Sequence, residues 1–216
     1  MKVLLLDVEY KHSSTGKIVS DIYTALQNRG IETAVCYGRG KKSKDKNVYK
    51  FGLDFETYGH ALLTRLTGYN GCFSLFSTIR LLRFLDKFQP DIIHIHELHA
   101  YFLNYGMLFN YLHKKKIKIV WTHHSCWAFT GHCAHFDYVG CDKWKTQCKK
   151  CVNLHEYPSS LFFDRSKKQF KKKKKLFTSI DIDKMIIVSP SKWLTDLLGE
   201  SFFSKYKITT DRKSVV

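Results

Sequence analysis

Lys2-Val3-Leu4-Leu5-Leu6-Asp7 is an unbroken apolar run closed by an acid. A strand with one wet face alternates polar and apolar residues. A run without alternation is the mark of a strand covered on both faces, as in a parallel sheet flanked by helices. Outward from it, the polar segment Glu9 to Gly16 leads into Ile18, Val19, Ile22, Ala25 and Leu26 at helical spacing, and Asn28-Arg29-Gly30 stops that helix. Residues 32–37 read as a second strand and 48–51 as a third. Helices are expected over 55–66 and 73–88, the latter ending before Pro90. Asp91-Ile92-Ile93-His94-Ile95-His96 has the β-branched character of a strand. A helix over 101–112, a buried strand over 117–122 and a last clear strand over 185–188 follow, with Ser191 capping a helix through 202. This alternation predicts an α/β fold, a doubly wound parallel sheet of Rossmann-like kind, with ligands beyond the carboxyl ends of the strands.

The chain has 216 residues, which suits a single α/β domain, and 44% hydrophobic residues, enough apolar surface for a core. No apolar run approaches the ~18–20 residues that a membrane span needs, and the apolar start is too short for a signal peptide. A cytoplasmic location with reduced thiols is expected. The formal charge of +17 is concentrated: Arg165, Lys167, Lys168 and Lys171 to Lys175 lie in one stretch. Such a block is either a solvated helix face or an attractor for anionic membrane or nucleic acid. The lysines do not interleave with aromatics along a groove, which argues against nucleic acid. Lys171–Lys175 are the candidate contact with an anionic membrane, peripheral at the inner face of the plasma membrane.

Chemistry-bearing residues gather at the strand ends. Ser13-Ser14-Thr15-Gly16-Lys17 opens a helix whose N–H groups and hydroxyls suit an anion, without meeting either Gly-rich nucleotide fingerprint. His94 and His96 share one face of a strand that runs into Glu97 and His99. Trp121-Thr122-His123-His124-Ser125 puts an imidazole where it faces the cleft, fit for acid–base or charge-stabilising work or for capping the strand end. Cys133, Cys141, Cys148 and Cys151 fall within nineteen residues and close with a C-x-x-C pair. Four thiolates so placed suit a structural Zn²⁺, with neighbouring lysines favouring thiolate; disulfides or loosely grouped buried thiols are the rival readings. Cys36, Cys72 and Cys126 read as core residues.

Four stretches carry a family likeness: Ser14-Thr15-Gly16-Lys17-Ile18, Asp91 to His96, Thr122 to Cys151, and Val188-Ser189-Pro190-Ser191-Lys192-Trp193-Leu194. The most specific is His124-Ser125-Cys126-Trp127-Ala128-Phe129-Thr130-Gly131-His132-Cys133, followed by Gly140-Cys141-Asp142-Lys143-Trp144-Lys145 and Cys148-Lys149-Lys150-Cys151. Over residues 1–209 the chain resembles the N-terminal, acceptor-side half of glycosyltransferase family 4, in its colanic-acid and capsule-type branch, with a Cys-rich loop at about 126–155. The resemblance implies a GT-B enzyme that transfers a sugar from a nucleotide-sugar with retention and without a catalytic metal. The acceptor would be a glycan or a lipid-linked glycan of a surface polysaccharide. It implies that His124 lies near the donor sugar, Ser14, Thr15 and Gly16 near the donor phosphates, and His96, Glu97, His99, Trp127 and His132 around the acceptor side of the cleft. Relatives often carry Asp where Ser125 stands and Asn where Glu97 stands. They also continue into a donor-binding domain bearing paired glutamates, so this chain alone is expected to be inactive. The competing reading is a basic, zinc-stapled α/β module that binds nucleic acid or anionic membrane. Residues 211–216 match a translated sequencing adapter and are set aside as a non-native tail.

Overall fold

The computed structural model describes residues 1–211 of the chain. Seven strands form one sheet: β1 (Lys2–Asp7), β2 (Glu32–Tyr37), β3 (Val48–Lys50), β4 (Ile92–Ile95), β5 (Lys118–Thr122), β6 (Met185–Ser189) and β7 (Lys207–Thr210). Their order is β3-β2-β1-β4-β5-β6-β7, and every neighbouring pair is parallel. This is the α/β, doubly wound arrangement expected from the apolar runs. Leu4, Leu5 and Leu6 are wholly buried because helices cover both faces of β1.

Parallel neighbours need crossovers; the loop 38–47 supplies the one from β2 to β3, and helices supply the others: α1 (Ser14–Asn28), α2 (Asp54–Thr67), α3 (Leu75–Phe88), α4 (Tyr105–Lys115), the single turn α5 (Lys143–Thr146), α6 (Ser166–Phe177) and α7 (Lys192–Glu200). Ser13 caps α1 by accepting the Gly16 N–H at 2.9 Å, and Ser191 caps α7 by accepting from Leu194 at 3.2 Å. The connection after β1 runs to one side of the sheet and the one after β4 to the other. The order therefore reverses between β1 and β4, and their carboxyl ends open a crevice there.

Three elements differ from expectation. α4 begins at Tyr105 rather than 101, because Ala100 and Tyr101 take the left-handed conformation (φ 78° and 67°) and Asn104 supplies the cap. The edge strand β7 has only four residues, with half-buried positions alternating with exposed ones, too short a pattern to stand out in the sequence. The basic stretch is helix α6, but it is not a uniformly solvated face. Ser166, Gln169, Phe170, Lys173 and Phe177 point inward at helical spacing, and Phe177 packs against Phe109 and Trp121 at 4.5 and 4.9 Å between ring centroids. Lys173 lies wholly within the protein, which removes it from the Lys171–Lys175 block as a surface contact. Of the segment read as a non-native tail, residues 212–216 lie outside the described residues.

Candidate active site

At the reversal point a cleft of about 330 Å³ opens between the loop after β1, the loop after β4 and the end of β5. Ser13, Ser14 and Thr15 line it from the first turn of α1, Glu97 and His99 from the loop after β4, and His124 and Ser125 from the end of β5. A side chain at Gly16 would sit 2.9 Å from both Glu9 O and Ser13 Oγ, so glycine lets the loop fold tightly onto the helix start. Lys17 N–H bonds back to Ser13 O and Gly16 N–H to Ser13 Oγ, which leaves Ser14 and Thr15, in the helix's open first turn, at the cleft wall.

Glu97 organises the opposite wall. Its carboxylate accepts the His124 N–H at 3.1 Å and the Ser125 hydroxyl at 3.2 Å, and it faces His99 Nε2 at 2.6 Å. Burial alone would raise its pKa, but His99 beside it, by charge and hydrogen bond, holds it down at about 2. The Glu97 N–H donates to Asp7 Oδ1 at 3.2 Å, which ties the loop after β4 to the end of β1. Asp7 is wholly buried, and that desolvation pushes its pKa up to about 7. Two carboxyls thus sit side by side with opposite tendencies, one held ionised and one titrating near neutrality.

Behind the cleft runs a stack of imidazoles. His94 and His96 lie ring on ring at 4.3 Å, and His96 on His124 at 5.4 Å, with His96 Nδ1 and His124 Nε2 3.1 Å apart. His94 Nε2 is held by the Thr122 hydroxyl at 2.8 Å. Burial lowers all three: His94 to about 4, His96 well below its ordinary value, and His124 less, because Glu97 opposes the effect. At neutral pH the stack is uncharged, and His124 presents a neutral ring edge whose orientation is set from behind. The loop is locked further by the Trp121 indole, which donates to His96 O at 3.1 Å.

The structure brings Ser14, Thr15, Glu97, His99 and His124 to one cleft. It places Gly16 and His96 just behind the wall, both buried. Trp127 and His132 do not line it. The Trp127 indole bonds to Asn70 Oδ1 at 2.7 Å within the core, and His132 bonds to Leu154 O at 3.1 Å. Glu9 and His135 also line the cleft and Asp7 lies behind it, none of them flagged by the sequence, whereas Ser13 belongs to its anion-binding turn. The acid that closes the first apolar run was the available signal for Asp7.

The four cysteines read as a zinc set are neighbours in space, Cys133 hydrogen-bonded to Cys151 and Cys148 within electrostatic reach of Cys133, Cys141 and Cys151. Among the described residues no group of three or more His, Cys, Asp or Glu side chains is arranged to hold a metal ion. The thiols are not uniformly activated by the lysines either. A hydrogen bond to Cys151, and then burial, raise Cys133, while burial pushes Cys148 up to about 11. Cys151 is lowered, chiefly by the Cys133 thiol donating to it. Cys148 is also tied into the packing: Gly131 N–H donates to Cys148 Sγ at 3.2 Å, and a Cβ at Gly131 would fall 2.2 Å from Ser166 O. Cys36 and Cys126 are buried as expected of core residues, whereas Cys72 is half-buried with the Lys172 ammonium 3.2 Å from its sulfur.

The family model for Glycosyltransferase Family 4 matches residues 15–191, from the first helix to the start of α7. The chain belongs to glycosyltransferase family 4. It is also 27% identical over 215 aligned residues to a protein of Escherichia coli (strain K12) described as a colanic acid biosynthesis glycosyl transferase, WcaC. The match covers 94% of this chain and 52% of that relative, so the chain spans about half the length of the curated relative it matches. The matched range contains the cleft residues from Thr15 to His135 and also the whole cysteine-rich segment.

Proposed function

We propose that this chain forms the acceptor-side half of a retaining glycosyltransferase that moves a sugar from a nucleotide-sugar to a glycan or lipid-linked glycan in surface-polysaccharide synthesis. The observation that carries the reading is the convergence, at the sheet's reversal point, of a capped helix N-terminus and a neutral, rigidly held imidazole. The Ser14 and Thr15 N–H groups and hydroxyls take the donor phosphates, where the helix dipole favours negative charge. His124 hydrogen-bonds the donor sugar. Being uncharged, it does not repel the positive charge that develops as the bond from the anomeric carbon to the phosphate oxygen breaks. The fixed Glu97 charge behind it favours the same transition state, and the acceptor hydroxyl enters from the His99 side. No step calls for a metal.

The test is product formation by the chain joined to a donor-binding half. A panel of nucleotide-sugars would be offered with lipid-linked glycan acceptors, and the anomeric configuration of the product read by NMR. Transfer with retention supports the proposal. Transfer with inversion, or hydrolysis of the donor without any acceptor product, contradicts it. The 216-residue chain alone is expected to give no product.

A further inference from the structure

Helix α2 is built inside out. Its inward face carries Thr57, His60 and Thr64, and its outward face carries Phe55, Tyr58, Leu62, Leu63 and Leu66. The buried polar groups are satisfied: Thr57 and Thr64 donate to Leu53 O and Tyr69 O, and His60 bonds Ser74 Oγ at 2.8 Å and the Gly71 N–H at 3.1 Å. Nothing among the described residues covers the apolar side, with Phe55 67%, Tyr58 75% and Leu62 56% exposed.

The apolar ridge continues at both ends of the helix. Glu56 accepts the N–H groups of Phe76 and Ser77 at 2.9 and 2.6 Å, which sets exposed Leu75 and Phe76 against the first turn of α2. At the other end Leu161 N–H donates to Arg65 O at 2.8 Å and Arg165 Nε to Thr67 O at 3.3 Å, which brings exposed Leu161, Phe162 and Phe163 against its last turn.

Cations outnumber acids beside this ridge, with Lys50, Arg65, Arg165, Lys167 and Lys168 against Asp54, Glu56 and Asp164. Asp54 is paired with Lys50 at 2.8 Å, Glu56 is spent on the start of α3, and Asp164 accepts the N–H groups of Cys151 and Ser166. Arg65, Arg165, Lys167 and Lys168 have no ion-pair partner of their own among the described residues. An apolar helix face bearing aromatics and flanked by an excess of cations is the chemistry of an interfacial anchor on negatively charged lipid. We infer that the α2 ridge, with the starts of α3 and α6 and the turn between Leu161 and Phe163, docks this protein on an anionic bilayer. The surface differs from the Lys171–Lys175 block, whose middle residue is inside the core.

The ridge also connects to the cleft. Tyr101 packs on His60 at 5.7 Å and on Tyr157 at 5.9 Å, and the Tyr157 hydroxyl meets His99 Nδ1 at 3.0 Å. Docking would therefore hold the acceptor side of the cleft next to the lipid surface; the preference for a lipid-linked acceptor that follows rests on the proposed function, whereas docking itself does not.

The test is co-sedimentation of the full chain with vesicles of phosphatidylcholine alone and of phosphatidylcholine with phosphatidylglycerol. Binding to the anionic vesicles is expected to exceed binding to the neutral ones by at least about tenfold, since each cation near the surface adds to the attraction. Leu62→Glu should lower it by about tenfold or more, by placing a charge on the inserted face. Both Leu62→Glu and Phe76→Ser alter exposed side chains, and an unchanged thermal melt would show that the fold is intact. No sedimentation with either vesicle, equal sedimentation with both, or full binding by Leu62→Glu would overturn the inference. So would self-association that Leu62→Glu abolishes without any lipid binding, because the ridge would then belong to a second copy. Activity plays no part in this readout, so a failed transfer assay leaves it standing.

Discussion

The strand-end cleft and the cysteine-rich segment that follows it hold the chain's densest sets of reactive residues, and they use them in opposite ways. In the cleft, Glu97, His99, His124 and Ser125 stand at the ends of parallel strands where the sheet order reverses, partnered from behind and open in front. In the segment 126–155, Trp127, His132 and Cys148 turn inward and bond to the core. Richness in His and Trp does not by itself line a cleft, as Trp127 and His132 show. Topology supplies the opening, and the same residue types away from it become packing.

The comparison can be broken most readily through the packing side. Trp127→Ala should cost about 3–5 kcal/mol, because it removes a fully buried ring that meets Tyr105 at 5.7 Å and carries the Lys173 ammonium 3.7 Å from its centroid. Denaturant unfolding measures it, and a loss below about 1 kcal/mol would mean that this segment is not part of the core.

The buried imidazoles set the next effect. His94 falls from 6.5 to about 4 and His123 to about 3, so the folded state holds fewer protons than the unfolded chain between those values and 6.5. Their contribution is present above 6.5 and is lost as pH falls through the folded values, with His94 alone accounting for on the order of 3 kcal/mol by pH 4. Asp7 tilts the other way: its raised pKa favours the folded state below 3.8, and that contribution is lost as pH rises towards about 7. Asp7→Asn should flatten that part of the stability–pH curve and leave the histidine part intact.

Lys173 sharpens the comparison. Wholly buried, it donates to Trp127 O and Thr130 O at 2.7 and 3.2 Å, and burial lowers its pKa to about 7. The folded state therefore resists protonation, and stability should rise with pH between about 7 and 10.5. Lys173→Met, which keeps the length of the stem, should abolish that slope; a slope that persists would place the titrating group elsewhere. The smallest effect is expected at the cleft wall, where Ser125→Ala removes one hydrogen bond to Glu97 and should cost about 1 kcal/mol in unfolding measurements.

The sheet was legible because β1, β4, β5 and β6 are apolar runs long enough to leave no alternative. The edge strand β7 was not, since four residues with alternating exposure resemble any loop. The start of α4 was missed because apolar periodicity continues through Tyr101, and only the backbone shows the left-handed turn there. At the site, strand-end position sufficed for His124, Glu97 and the Ser14–Thr15 turn. Trp127 and His132, expected near the cleft from the family resemblance, turn away from it, their direction fixed by contacts with Asn70 and Leu154, 57 and 22 residues away. The basic run misled for the same reason: composition gives the charge of a helix, and its contacts decide which lysine goes inside.

The most direct measurement compares His124→Ala with His132→Ala in the chain joined to a donor-binding half, with kcat and thermal stability recorded for each. The cleft account predicts that His124→Ala lowers kcat by about a hundredfold or more with little change in stability. His132→Ala should instead lower stability and leave kcat per folded molecule near that of the parent. Undiminished kcat in His124→Ala, together with a catalytic loss in a stable His132→Ala protein, would contradict the account and move the site into the cysteine-rich segment.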